Sequence, residues 1–141
     1  MKLVEWKSIS LELAQKAVDG VIAQAEQDGR EPVAIAVTDA RGDLVAFARM
    51  DGDGDFSGTV ARRKAYTAVR IATDTGAWRD RITGQGRTVS DYREPDLIPF
   101  QGGVAIRVDG QIVGGIAVSG RNGPEDEELA RLGLRHAGFE A

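Results

Sequence analysis

Leu11, Ala14, Val18, Val21, Ile22 and Ala25 recur at helical spacing, which predicts a first helix with one apolar face. Ser10 supplies a side-chain acceptor for its first turn, Glu12 complements its dipole and Gly29 offers a stop. The period then falls to two. Val33, Ile35 and Val37 alternate with Ala34, Ala36 and Thr38, Asp39-Ala40-Arg41-Gly42 is rich in turn residues, and residues 44–50 return, so a hairpin is predicted. Residues 59–73 read as a second helix whose small stripe, Ala61, Ala65, Ala68 and Ala72, lets it lie close against a sheet. A short helix over 77–82 follows, and the polar, Gly-containing stretch 83–96 is expected to be a lid, an interface or disordered. Alternation resumes at 104–108, Asp109-Gly110 is the preferred two-residue hairpin turn, and 112–119 completes the second pair. The last helix starts at Pro124 with Leu129, Leu132 and Ala137 facing inward. A short extra strand is expected at 97–100.

The order α-ββ-α-(α)-ββ-α, with each strand pair closed by a tight turn, predicts an α/β (α+β) fold: an antiparallel sheet with helices on its faces. With 141 residues and no linker or repeat, the chain reads as one domain, 1–141. Composition narrows the chemistry. There is no cysteine and one histidine, His136, so thiolate nucleophiles and multi-His or Cys metal sites are excluded. The net charge is −4 with dispersed basic residues, which argues against a nucleic-acid surface. No apolar run reaches the roughly 20 residues of a membrane span. The opening residues have no apolar signal core, so cytoplasmic residence is the expectation.

Several motifs carry less than they suggest. Asp51-Gly52-Asp53-Gly54-Asp55 begins like a calcium loop, but its sixth and twelfth positions are Phe56 and Arg62 rather than Gly and Glu. Gly84-Gln85-Gly86 lacks the third glycine and the strand-to-helix setting of a dinucleotide fingerprint. Ser119–Gly123 does lead from a strand into a helix N-terminus, yet four consecutive carboxylates, Glu125 to Glu128, follow it. His136 lies on the inward side near the end of the last helix, the position of a core or capping histidine more often than of a ligand.

Lys64 is the informative exception. At about 100° per residue, Val60, Ala61, Ala65, Ala68, Val69, Ile71 and Ala72 form one apolar arc, and Lys64 falls inside it between Ile71 and Ala68. Thr67 borders the arc, whereas Arg62, Arg63, Tyr66 and Arg70 lie opposite. A lysine aimed at the sheet must snorkel, pair with a carboxylate or face a cavity. Asp126 breaks the last helix in the same way, sitting in the arc of Leu129, Ala130 and Gly133, where it either complements the helix dipole or pairs with Lys64.

Phe47-Ala48-Arg49-Met50-Asp51-Gly52, the run Ala61 to Ala68, Ile98-Pro99-Phe100-Gln101-Gly102-Gly103, Val108-Asp109-Gly110, and Val118-Ser119-Gly120 followed by Asp126-Glu127 together resemble the GlcG/HbpS family, over roughly Ser10 to Gly133. The resemblance implies a profilin-like α/β/α layering, a five-stranded antiparallel sheet and a homo-oligomer. It places the family's helix lysine at Lys64, its acidic residue after the Ser-Gly strand end at Asp126, and its glycine pair at Gly102-Gly103. It also implies a small-molecule ligand, haem or another tetrapyrrole among the candidates. Haem iron takes His, Cys, Met or Tyr, which leaves Tyr66, Met50 or Tyr92 as its only ligands near the expected pocket and predicts weak or no haem binding.

Two functions follow as expectations. One is a small-ligand-binding protein with Lys64, Asp126, Thr67, Phe100, Gly102 and Gly103 around the ligand. The other is a cofactor-independent enzyme acting on a small organic acid or carbonyl compound. There Lys64 is base or nucleophile, Asp126 orients it, and Arg63 or Arg93 clamps the substrate carboxylate.

Overall fold

The computed structural model describes residues 1–141. Helix α1 spans Leu11–Asp28; its first turn is closed by Ser10 Oγ, which accepts from Leu13 N at 3.2 Å, and Gly29 ends it in the left-handed region at φ 64°. Strands β1 (Ala34–Asp39) and β2 (Leu44–Arg49) form the first hairpin. Helices α2 (Ser57–Ile71) and α3 (Thr75–Gly84) and a 3-10 turn over Val89–Tyr92 follow. Strands β3 (Gly103–Val108) and β4 (Gln111–Ser119) turn at Asp109-Gly110, both at positive φ (50° and 77°), as a type I′ turn demands. Helix α4 (Gly123–His136) completes the chain, with Asn122 Oδ1 accepting from Glu125 N at 2.9 Å.

β1 pairs with β4, so the two hairpins merge into one antiparallel sheet of order β2-β1-β4-β3. The alternation read from the sequence sorts the two faces. Val33, Ile35, Val37, Ile116 and Val118 point to the side covered by α1 and α4 and form the main core. Ala34, Ala36 and Ala117 point to the other side and meet Ala61 and Ala65 of α2. Only small side chains separate α2 from the sheet, and at Gly115 there is none. A Cβ there would lie 2.4 Å from the Ala65 carbonyl oxygen. The helix backbone therefore rests on the strand backbone, and this close seat fixes the height at which Lys64 leaves α2.

The sheet has four strands, not five: residues 97–100 do not join it. Leu97 and Ile98 are buried, which is what their apolar pattern signalled, but Leu97 N donates to the Glu94 carbonyl at 3.2 Å in a turn, and the next bonds go to side chains. Ile98 N donates to Thr67 Oγ1 at 3.0 Å, and Thr75 Oγ1 donates to the Phe100 carbonyl at 2.6 Å. Pro99 has no N–H to offer a ladder. The stretch 83–96 is folded rather than disordered. It carries the end of α3 and the 3-10 turn, where Thr88 and Asp91 cap one another and Tyr92 packs edge-on against buried Trp78 at 5.2 Å between ring centroids. No helix is long and apolar enough to cross a membrane.

The backbone contact at Gly115 generates a test. Gly115→Ala must push α2 off the sheet, and we expect a loss of about 1–3 kcal/mol of stability. It is read as a lower urea midpoint; an unchanged midpoint would show that α2 is not seated on the strand.

Candidate functional site

Lys64 and Asp126, which interrupt the apolar arcs of two different helices, meet. Lys64 Nζ donates to Asp126 Oδ2 at 3.3 Å and to the Val118 carbonyl at 3.0 Å. The residues are 3% and 2% exposed, so neither charge is solvated. Asp126 Oδ1 accepts from Arg121 N at 3.0 Å, and Asp126 stands in the first turn of α4, where the helix dipole favours a negative charge. Arg121 is in turn held bidentate by Asp28 at 2.6 and 2.8 Å and donates to the Glu31 carbonyl at 3.0 Å. This chain of bonds anchors the turn between β4 and α4 to the end of α1.

Gly102 leaves room for the lysine. At φ 131° it sits where a Cβ would come within 2.7 Å of both Lys64 Nζ and the Val118 carbonyl oxygen. A side chain at 102 would displace the amine from its acceptors. Gly103 lies beneath the Lys64 main chain, and its N–H donates to Thr75 Oγ1 at 2.9 Å. Both glycines thus serve the approach of α2 and its lysine to the strand end.

The pair forms part of the wall of a cavity of about 400 Å³. Val60, Arg79, Phe100, Gln101, Ser119 and Arg121 contribute to the same wall. Cationic groups outnumber the one carboxylate. Arg79, whose side chain is 43% exposed, has only its neighbour Asp80 as an ion-pair partner at 3.2 Å. The carboxylates that follow the turn are engaged: Glu125 with Arg30, Glu127 with Arg131, Glu128 with Arg135, and Asp126 with Lys64. They do not crowd the cavity with free negative charge.

Burial shapes the ionisation of both partners. It pushes the Lys64 amine below its ordinary 10.5, with the charge and hydrogen bond of Asp126 opposing. It raises Asp126 from 3.8 to about 6 against the opposing pull of Lys64 and the Arg121 N–H. The pair is therefore held by its mutual attraction against the desolvation of each member.

The other residues singled out from the sequence divide. Phe100 lies at the cavity mouth, 54% exposed. Thr67 is structural: buried, it donates to the Arg63 carbonyl at 2.7 Å and accepts from Ile98. Arg63 does not reach the cavity; it lines a separate depression with Tyr66, Leu44 and Asp96, and its Nε is 3.9 Å from Asp96. This follows from the wheel, which turns Arg63 about 100° away from Lys64, onto the polar side of α2. Arg93 is exposed, in the left-handed region at φ 52°, and lines neither space. The cations that do share the cavity with Lys64 are Arg121, from the β4–α4 turn, and Arg79, which comes from α3 and carried no local signal. Of the candidate iron ligands, Met50 Sδ accepts from Val33 N, the Tyr66 hydroxyl donates to Glu94 and Tyr92 packs on Trp78. His136 packs against Gly20 of α1. None of the four lines the cavity.

Asp126 sets a pH signature. Between pH 3.8 and about 6 the folded protein keeps a proton that the unfolded chain has released, so this group makes stability fall as pH rises through that window. Asp126→Asn cannot titrate, and we expect its stability to vary less between pH 4 and 6.5 than that of the parent. Urea midpoints across that range check this; equal slopes would show that Asp126 is not perturbed.

The family model described as "Haem degrading protein HbpS-like" matches residues 9–135. Protein GlcG of Escherichia coli K12 is 33% identical over 110 residues, covering 76% of this chain and 81% of GlcG. Corrinoid adenosyltransferase PduO of Salmonella typhimurium is 28% identical over 106 residues, 73% of this chain but 31% of PduO. Among solved structures, a double mutant of Streptomyces reticuli HbpS is similar with a TM-score of 0.87 at 33% identity, covering 97% of this chain and 92% of that one. A structure named as a complex of PduOC with haem has a TM-score of 0.84 at 24% identity, covering 94% and 96%, and shares the fold.

Proposed function

The chain belongs to the HbpS-like family, and we propose that it binds a small organic anion in the cavity walled by Lys64, Asp126 and Arg79. The observation that carries this reading is a lysine and an aspartate, both essentially buried, placed in the wall of a cavity that holds three cationic side chains and one carboxylate. A buried charged pair alone adds little to stability, since its desolvation offsets its attraction. An open, positively biased space beside it suits a ligand carboxylate, which Arg79 can hold through paired N–H donors. The volume lies in the range of pockets for small molecules.

The names of the family and of one structural relative bring haem to the same question. The cavity does not fit haem iron. It offers no His, Cys, Met or Tyr, and Met50, Tyr66 and Tyr92 have their polar atoms or rings engaged elsewhere. A second reading, an enzyme using Lys64 as base or nucleophile, is favoured by the lowering of its pKa through burial.

Titration calorimetry with pyruvate, lactate and succinate tests the binding reading. We expect at least one to saturate, and Arg79→Ala to weaken it about 10- to 100-fold, the worth of a charge-assisted hydrogen bond. Arg63→Ala, remote from the cavity, should leave it unchanged. No saturable binding, or equal losses in the two variants, would sink this reading.

We also propose a homo-oligomer. Val4, Trp6, Phe47 and Phe56 are exposed on the single chain, Trp6 to 70% and Phe56 to 73%, and a subunit contact would remove such side chains from water. Light scattering should give a multiple of the chain mass; a monomer at micromolar concentration would overturn it.

A further inference from the structure

The chain has four lysines: Lys2, Lys7, Lys16 and Lys64. After residue 16, every Lys or Arg position other than 64 is arginine. Arginine keeps its proton and grips carboxylates bidentately, as Arg121 does with Asp28. A site that needed only a permanent ion pair with Asp126 would be served by the same residue type. Position 64 instead holds an amine, the one basic group of this body that can become neutral and nucleophilic besides His136.

The geometry suits that chemistry. Nζ has two acceptors, the Val118 carbonyl at 3.0 Å and Asp126 Oδ2 at 3.3 Å. A neutral amine donating to both keeps its third tetrahedral position for the lone pair. The residue lines the cavity although it is 3% exposed, so approach to the amine is through that space. Arg79 stands in the same wall with a guanidinium for a carboxylate, and Asp126 stands beside the amine as a proton carrier.

We propose that Lys64 condenses with the carbonyl carbon of a short 2-oxo acid held in this cavity, forming an imine. This deepens, and rests on, the anion-binding reading. In the step, Asp126 first takes a proton from the Lys64 ammonium; the freed Nζ lone pair then bonds to the carbonyl carbon and the C=O π pair moves to oxygen. Protonated Asp126 gives its proton to that oxygen and takes one from the nitrogen, giving a carbinolamine and leaving Asp126 protonated. Protonated Asp126 then delivers its proton to the departing hydroxyl, and the nitrogen lone pair closes the C=N bond. Water leaves, and the resulting iminium cation pairs with the Asp126 carboxylate. No oxidant or reductant takes part.

The test is reductive trapping of the intact protein. Glyoxylate or pyruvate is added with cyanoborohydride, and the adducts are assigned by peptide mass spectrometry. Exposed Lys2, Lys7 and Lys16 provide controls within each sample. We expect saturable modification of Lys64 at least 10-fold faster than at these three, suppressed by lactate, which has the carboxylate but no carbonyl. Lys64→Arg, which keeps the charge, should lose the adduct at that peptide and leave the others unchanged. If lactate and pyruvate bind saturably in calorimetry but Lys64 is trapped no faster than the exposed lysines, the imine is refuted and the binding reading stands. If neither acid binds and no Lys64 adduct forms, both fail.

Discussion

The bond between Lys64 and Asp126 spans the two layers of the fold. Lys64 comes from α2, which lies on the alanine face of the sheet, and Asp126 from α4, which covers the opposite, larger core. They meet at the strand end marked by the Val118 carbonyl, where the sheet no longer separates them. Removing one partner leaves the other charged and unsolvated, a loss of about 3–5 kcal/mol. Several surrounding features follow from this requirement: a glycine at 102 so that the amine fits, helices seated close to the strands, and a first-turn position for the aspartate, where the α4 dipole supports its charge.

Around this bond the polar connections are continuous. Asp126 accepts from Arg121, Arg121 grips Asp28 and Glu31, and Glu125 pairs with Arg30. The end of α1, the β4–α4 turn and the lysine of α2 are thereby tied to one another. Arg79 enters the same space from α3 with no partner beyond its neighbour Asp80. A built network beside a less constrained cation separates what holds the cavity from what is free to meet a ligand.

Much of this is legible in the amino-acid sequence, for reasons that differ by residue. Ser10 and Asp109-Gly110 act through local backbone geometry, and such signals survive folding. Lys64 and Asp126 stood out because a helical wheel has one apolar side and a charge on it needs an explanation. The segment 97–100 misled because an apolar pattern reports burial and not the identity of the hydrogen-bond partner. Here the partners are the hydroxyls of Thr67 and Thr75. Arg63 and Arg93 could not be assigned to the cavity from sequence, since whether two cations share a space depends on how separate elements pack. The same limit hid Arg79.

The attachment of residues 98–101 through two threonine hydroxyls, ahead of the ladder that begins at Gly102 and Gly103, has a consequence for motion. A strand in a ladder opens by losing several cooperative bonds at once, whereas a backbone amide held by a hydroxyl is released when one side chain changes rotamer. The stretch bearing Phe100 and Gln101 is therefore held by fewer cooperative bonds than the four-stranded sheet beside it. The rim of the cavity thus rests on two methyl-bearing alcohols rather than on a ladder.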